Sequence, residues 1–271
     1  MNFLQAIILA IVEGLTEFLP VSSTGHMIIA SSIMGIAHLP ITKIFTVAIQ
    51  FGAILSVVVL YWKKFLPHDG LWKEKIQFYL KLIVGFIPAM ILGYLFSDTI
   101  DALLENVVIV AIMLLIGGIL FILLDKWINK SEDKADIEIT FKKAIFIGIF
   151  QTIAMIPGVS RSAASIIGGI SQKFSKKQAA EFSFFLAVPT MFAATCKKML
   201  DFYQEGLGLD THNILLLVVG NVVAFLVAML AIQSFIKYLT KNGFFIFGIY
   251  RIVVGAIILI LHFLGIQLTI V

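Results

Sequence analysis

Six stretches of this chain run for roughly 18–22 residues with almost no charge, the length an α-helix needs to cross a hydrocarbon core of about 30 Å. Five are plain, at 44–62, 78–97, 107–124, 214–236 and 244–264, and 179–196 is a sixth. Nothing else limits the fold as strongly. Backbone in lipid must satisfy its own hydrogen bonds, and only helices and closed barrels do so. A barrel strand would alternate apolar and polar positions, and these runs do not alternate. Composition agrees: 60% of the 271 residues are hydrophobic and 13% charged, against about 25% charged in an ordinary soluble domain. We expect an all-α polytopic membrane protein, with 1–271 forming a single integral membrane domain.

The first twelve residues, MNFLQAIILAIV, lack the basic start and small-residue cleavage site of a signal peptide. They are expected to belong to the working fold. Cys196 is the only cysteine, which excludes an intrachain disulfide and makes a cysteine-based metal site implausible. The net charge of +4 comes from lysines scattered between the apolar runs, a pattern of membrane topology rather than of nucleic-acid binding.

An internal repeat lies beneath the spans. AIILAIVEGLTEFLPVSSTGHMII (6–29) aligns without gaps on AIFIGIFQTIAMIPGVSRSAASII (144–167), at an offset of 138. Ala6/Ala144, Ile7/Ile145, Ile11/Ile149, Val21/Val159, Ser22/Ser160, Ile28/Ile166 and Ile29/Ile167 are identical, and Glu13/Gln151 and Thr24/Ser162 are similar. The same offset pairs Gly117 with Gly255. Apolar matches mean little between membrane helices, whereas polar ones in register with them point to duplication. The halves are about 1–130 and 140–271. Each reads as a polar, Pro/Gly-interrupted segment (1–37 and 142–172) followed by three spans.

Irregular backbone at membrane depth is tolerated only inside protein or a wet cavity. Each interrupted segment is therefore expected to be a re-entrant helical hairpin, giving six spans in total. Three crossings per half would insert the second half upside down, an inverted-topology repeat. Lysines test the arrangement. Lys63, Lys64, Lys73, Lys75, Lys126, Lys130, Lys134, Lys142, Lys143, Lys173, Lys176, Lys177, Lys237 and Lys241 would share one side, and Lys43, Lys197 and Lys198 the other. The richer side should be cytoplasmic, which puts both termini and the mouth of the first hairpin outside. The charged stretch 125–143 reads as a solvated connector between the halves.

The polar residues sit in the two interruptions. In EGLTEFLPVSSTGH (13–26), Glu13 and Glu17 are four apart and share one helix face, where like charges repel. Carboxylates near hydrocarbon are costly and face an interior. Such a pair could hold a divalent cation, Mg²⁺ or Ca²⁺, or one member could carry protons; the plain alternative is a pair of solvated helix-end charges. Pro20 breaks the helix, and Ser22, Ser23 and Thr24 follow where a return helix would start. Free amides and hydroxyls at such a start suit an anion. His26, three positions after Ser23, could transfer a proton or attack as a nucleophile.

The second stretch, IPGVSRSAAS, supplies the opposite charge. The only arginines are Arg161 and Arg251. Arg161 follows Pro157-Gly158 and is flanked by Ser160 and Ser162, and guanidinium suits bidentate phosphate recognition. An ion pair with Glu181 is its structural alternative. Arg251 is expected to pair with an acid or a carbonyl. If the repeat brings the two interruptions together, the result is a pocket able to bind and cleave a phosphorylated group beside lipid.

E-G-x-T-E-F-L-P-V-S-S-T-G-H and P-G-x-S-R-S resemble the two signature motifs of the bacterial undecaprenyl-diphosphate phosphatases, the bacitracin-resistance membrane phosphatases. The resemblance covers essentially the whole chain. It implies a multi-pass protein of the bacterial cytoplasmic membrane that removes the terminal phosphate from the C55 isoprenoid diphosphate. It also implies a divalent cation. It assigns catalytic roles to Glu17, Ser23, His26 and Arg161, with Glu13 and Glu17 toward the metal. Ser22, Thr24, Ser160, Ser162, Ser165 and Gly158 would bind substrate. Where the family usually continues S-R-S-G-x-T, this chain has Ala163 and Ser165; Ser165 keeps the hydroxyl. Whether Ser23, His26 or a water attacks phosphorus stays open. The implied partners are the polyprenyl diphosphate and membrane lipids, with a homodimer as a further option and no nucleic acid. The rival reading is a transporter or flippase of a lipid phosphate or small anion, since broken helices in inverted repeats also serve transport. A lipid kinase is disfavoured because no P-loop or glycine-rich nucleotide loop is present.

Overall fold

The computed structural model describes residues 1–66, 72–104, 106–127, 136–204, 210–266 and 268, and among these there is no strand. The first half begins with α1 (Phe3–Thr16), α2 (Ser23–Ile33) and α3 (Pro40–Leu60). It continues through α4 (Trp62–Phe65), α5 (Trp72–Leu95), α6 (Ser97–Leu104) and α7 (Val107–Trp127). The second half holds α8 (Phe141–Thr152), α9 (Arg161–Ser171), α10 (Lys176–Gln204), α11 (Thr211–Asn242) and α12 (Phe245–Phe263). Six of them, α3, α5, α7, α10, α11 and α12, are long and apolar enough to cross a membrane.

Local chemistry sets the ends. Asn2 and Gln5 exchange side-chain and backbone hydrogen bonds at the start of α1, a capping box that satisfies two of the free amides. Pro40 opens α3, where its missing N–H costs nothing. Asp210 accepts from Asn213 N and starts α11. Most spans outrun the apolar stretches that announced them, because lysine-bearing turns such as those of Lys73, Lys176 and Lys241 continue the helix past the hydrocarbon. Two short helices, α4 and α6, lie between the apolar runs, with charged or mixed sequences that carry no spanning signal. Lys130 and Lys134, used in the topology argument, lie outside the described residues.

The offset of 138 is visible in the backbone. The starts of α1 and α8, of α2 and α9, and of α7 and α12 are each separated by it, as are the ends of α2 and α9. Among the described residues, Ser22 (φ 70°) and Ser160 (φ 74°) form one positive-φ pair, and Gly35 (66°) and Lys173 (69°) another. The packing is crossed between halves: α1 lies against α11 and α8 against α5, while α7 pairs with α12 and α3 with α10. The largest apolar cluster runs through both halves, with Phe18, Phe121, Phe184, Phe235 and Phe244 fully buried. Neither interrupted segment packs only within its own half. That exchange carries the polar residues of each into the other.

Candidate active site

Each interruption contains one strained residue. Ser22 (φ 70°, ψ 98°) caps α2 and Ser160 (φ 74°, ψ 119°) caps α9, in a region that costs a non-glycine residue about 1–3 kcal/mol. The residues that follow, Ser23 and Arg161, are the first of their helices. Strain at equivalent points thus presents a hydroxyl from one half and a guanidinium from the other.

They share a carboxylate. Arg161 Nη2 donates to Glu17 Oε1 at 3.0 Å, and Ser23 Oγ donates to Glu17 Oε2 at 2.7 Å. The ion pair is buried, with side-chain exposures of 13% and 8%. Arg161 also donates to Ser183 O (3.1 Å) and to Met191 Sδ (3.4 Å), and its guanidinium lies over the Phe18 ring. Glu181, the alternative partner, pairs with Lys177 instead. Ser162 Oγ donates to Leu19 O at 3.0 Å, so the interruptions are bonded to each other directly. Ser160 Oγ accepts from Ala163 N and lies 3.0 Å from Ser162 Oγ. Ser165 points away from this centre: its hydroxyl bonds Arg161 O and Ser183 Oγ, bracing the first turn of α9. Thr24 stands apart from the network, half-buried on the first turn of α2.

Glu13 is 1% exposed and its carboxyl group lies against that of Glu17. Its Oε1 is buried without a hydrogen-bond partner. Among the described residues no third His, Cys, Asp or Glu joins the two acids. Two carboxylates, one with an orphan oxygen, and the Ser23 hydroxyl form an oxygen-only donor set. Mg²⁺ takes such sets, completing its shell with substrate phosphate oxygens. The residues fit a divalent cation.

Arg251, fully buried, holds the site from behind. It donates to Pro20 O (3.1 Å), Gly158 O (2.9 Å) and Met113 O (3.2 Å), tying both interruptions to α7. Gly158 therefore enters the site through its carbonyl. Its φ of +88° and a Val110 carbonyl only 2.3 Å from any added Cβ leave room for glycine alone. Sequence reasoning expected an acid or a carbonyl for Arg251; the carbonyls are three, from three segments. His26 meets neither Glu17 nor Ser23 by hydrogen bond. Its Nδ1 donates to Ser22 O (2.7 Å) and its Nε2 lies 2.8 Å from the Tyr250 hydroxyl. Tyr250 and Ser183 went unnoticed in the sequence because neither lies in a motif. The match of Tyr250 to a histidine 224 residues away has no local signature.

Beside Arg161 opens a cavity of about 440 Å³, walled by Phe86, Met90, Tyr94 and Met155, with Gln151 and Lys197 also on its lining. The lining is mostly apolar, with Arg161 and Lys197 as cations on it, which suits an amphiphile with an anionic head.

Fold and site together define a multi-pass helical membrane protein whose acid, hydroxyl and guanidinium groups converge between two interrupted helical segments. The chain belongs to the BacA family of bacitracin resistance proteins, whose model matches residues 6–257. It is similar to the undecaprenyl-diphosphatase of Flavobacterium psychrophilum, 61% identical over 263 residues and 97% of each chain. It is 59% identical over the full length of both chains to that of Flavobacterium johnsoniae. With that of Bdellovibrio bacteriovorus it shares 53% over 268 residues, 98% of each chain.

Proposed function

We propose that this protein hydrolyses undecaprenyl diphosphate to undecaprenyl phosphate and inorganic phosphate, recycling the lipid carrier for cell-wall synthesis and conferring bacitracin resistance. The observation that carries the reading is the chain from Ser23 through Glu17 to Arg161, at 2.7 and 3.0 Å, formed from both interrupted segments. A serine hydroxyl on a buried carboxylate is a nucleophile with its base already in place. A guanidinium beside it suits the charge of a transferring phosphoryl group.

In the mechanism that follows, Arg161, the Ser160 and Ser162 hydroxyls and the free amides at the starts of α2 and α9 hold the diphosphate. Glu17 takes the proton of Ser23 as Oγ bonds the terminal phosphorus. The anhydride P–O bond breaks, and undecaprenyl phosphate leaves with that electron pair. Glu17 gives that proton to the departing undecaprenyl phosphate and, as carboxylate again, deprotonates a water whose oxygen bonds the phosphoserine phosphorus. The P–Oγ bond breaks, Glu17 returns the proton to Ser23 Oγ, and inorganic phosphate leaves. Glu13 and Glu17 would hold a divalent cation, Mg²⁺ or Ca²⁺, which supplies charge neutralisation at the phosphate oxygens. The apolar cavity beside Arg161 gives the first part of the lipid chain a place next to its headgroup.

The same reading makes each interrupted segment a re-entrant hairpin and the second half an inverted copy of the first, embedded in the bacterial cytoplasmic membrane. Matching helix starts at the offset of 138 and the crossed packing support it. The lysine distribution supports an outward site mouth and outward termini. Phosphate release from the purified protein in detergent micelles tests the activity, because a transporter has no second compartment there and would release none. We expect Ser23→Ala and Glu17→Gln to lower turnover by about 10²–10⁴-fold. Near-normal turnover in both variants would remove the mechanism.

A further inference from the structure

His26 is held at both ring nitrogens. Ser22 O, 2.7 Å from Nδ1, is a carbonyl and has no proton to give. Nδ1 therefore carries a hydrogen in every protonation state, and Nε2 is the nitrogen left free to accept. That nitrogen faces the hydroxyl of Tyr250 at 2.8 Å, and the two rings lie parallel within 4°, their centroids 5.5 Å apart. The nearest acid in the mechanism, Glu17, is already committed to Ser23 and Arg161.

Tyr250 reaches this place for a structural reason. Its neighbour Arg251 bonds Pro20 O and Gly158 O, the backbone of both interruptions, together with Met113 O of α7. The position of α12 is thus fixed against the turn that begins α2, and Tyr250, on the next side chain, is delivered to His26. Gly117 completes the arrangement, since a Cβ there would fall 2.2 Å from Arg251 Nη2.

We propose that Tyr250 is a positioning residue for His26: its hydroxyl donates to Nε2 and its ring sets the plane of the imidazole, until the substrate phosphate takes the place of the hydroxyl at that nitrogen. A histidine whose tautomer and orientation are set by a second hydrogen bond is the usual way such a ring is prepared for proton transfer. The proposal rests on the phosphatase reading and adds to it a role for His26, proton transfer at the substrate phosphate; the hydrogen bond itself does not depend on that reading.

The test uses the full chain in detergent micelles, labelled with ¹⁵N-histidine, as wild type, Tyr250→Phe and Tyr250→Leu. His26→Gln assigns the His26 signals. At about pH 8, where an unperturbed imidazole is neutral, wild type should show His26 in the Nδ1–H form. Tyr250→Phe, which keeps the stack and removes the hydroxyl, should displace the Nε2 resonance. The same variant should lower kcat for phosphate release about tenfold with KM within about twofold, a fraction of what a proton-transfer group contributes in full. Tyr250→Leu, losing the stack as well, should fall further. An unmoved Nε2 resonance in Tyr250→Phe would overturn the contact. A displaced resonance with unchanged kcat, or a change confined to KM, would overturn the positioning role. A wild-type protein that releases no phosphate would instead defeat the phosphatase reading and leave the resonance data standing.

Discussion

Arg161 and Glu17 form a buried ion pair, yet their removal should not cost the same. Taking one member from such a pair is worth about 3–5 kcal/mol, most of it the penalty of leaving an uncompensated charge. Which charge is left differs here. In Arg161→Gln, Glu13 and Glu17 remain together, buried, repelling one another and facing no cation. The variant also loses the bond to Ser183 O and the contact with the Phe18 ring. The full 3–5 kcal/mol is expected. In Glu17→Gln one acid of the repelling pair is gone, and Glu13 still feels the attraction of Arg161. Attraction lost and repulsion relieved largely offset, leaving about 1 kcal/mol. At roughly 2–4 °C per kcal/mol for a chain of this size, Arg161→Gln should lose about 6–20 °C of thermal stability in micelles and Glu17→Gln about 4 °C or less. Adding Glu13→Gln to Arg161→Gln should restore a good part of the loss. Intrinsic-fluorescence melting of the purified variants in one detergent supplies the numbers. Equal losses in the two single variants, or no recovery on adding Glu13→Gln, would refute the argument that two acids share one arginine.

Other outcomes follow from the same geometry. Gly158→Ala meets the Val110 carbonyl at 2.3 Å at φ +88° and should abolish phosphate release with a large drop in melting temperature, whereas Gly35→Ala, at φ +66° with nothing within 4 Å, should cost only about 1–2 kcal/mol. Chelation by EDTA should stop turnover, and Mg²⁺ or Ca²⁺ should restore it at higher concentration in Glu13→Gln than in wild type; full activity in chelator would count against a cation at the acid pair. Cys196 is exposed beside Lys197 on α10, so a membrane-impermeant maleimide should label it in intact cells expressing the protein and leave Cys196→Ser unlabelled. Labelling only after the membrane is opened would reverse the proposed sidedness.

The spans were legible because lipid imposes a length and a composition on them, and the interrupted segments because acids and hydroxyls in such a chain have few places to go. α4 and α6 were missed for the converse reason, being short and of mixed polarity. Arg161 was readable as a partner for Glu17 once the repeat placed the two interruptions opposite each other. The roles of Arg251, Ser183 and Tyr250 were not. Arg251 recognises carbonyls, and every residue has one, so no side-chain pattern names Pro20, Met113 and Gly158 as its partners. Tyr250 lies in an apolar helix where an aromatic reads as a lipid-facing residue. Its use depends on the distance between α12 and α2, which no stretch of either contains.

On the proposed inverted-repeat reading, the site needs both copies and their side chains have to differ. At the offset of 138, Glu13, Glu17, Ser23 and His26 correspond to Gln151, Met155, Arg161 and Ala164. Two identical first-half copies facing each other would bring four carboxylates together with no cation among them, an arrangement that burial forbids. Two second-half copies would hold a pair of guanidiniums with no acid and no nucleophile opposite. Replacing the acids of one copy with Gln151 and Met155 removes that conflict, and placing arginine where the other copy has its serine sets the cation across from Glu17. The neutral Gln151 donates from Nε2 to Thr190 Oγ1 at 3.0 Å, while its buried Oε1 is left without a hydrogen-bond partner. Symmetry delivers the two helix starts to one place, and chemistry there depends on how completely the side chains have abandoned it.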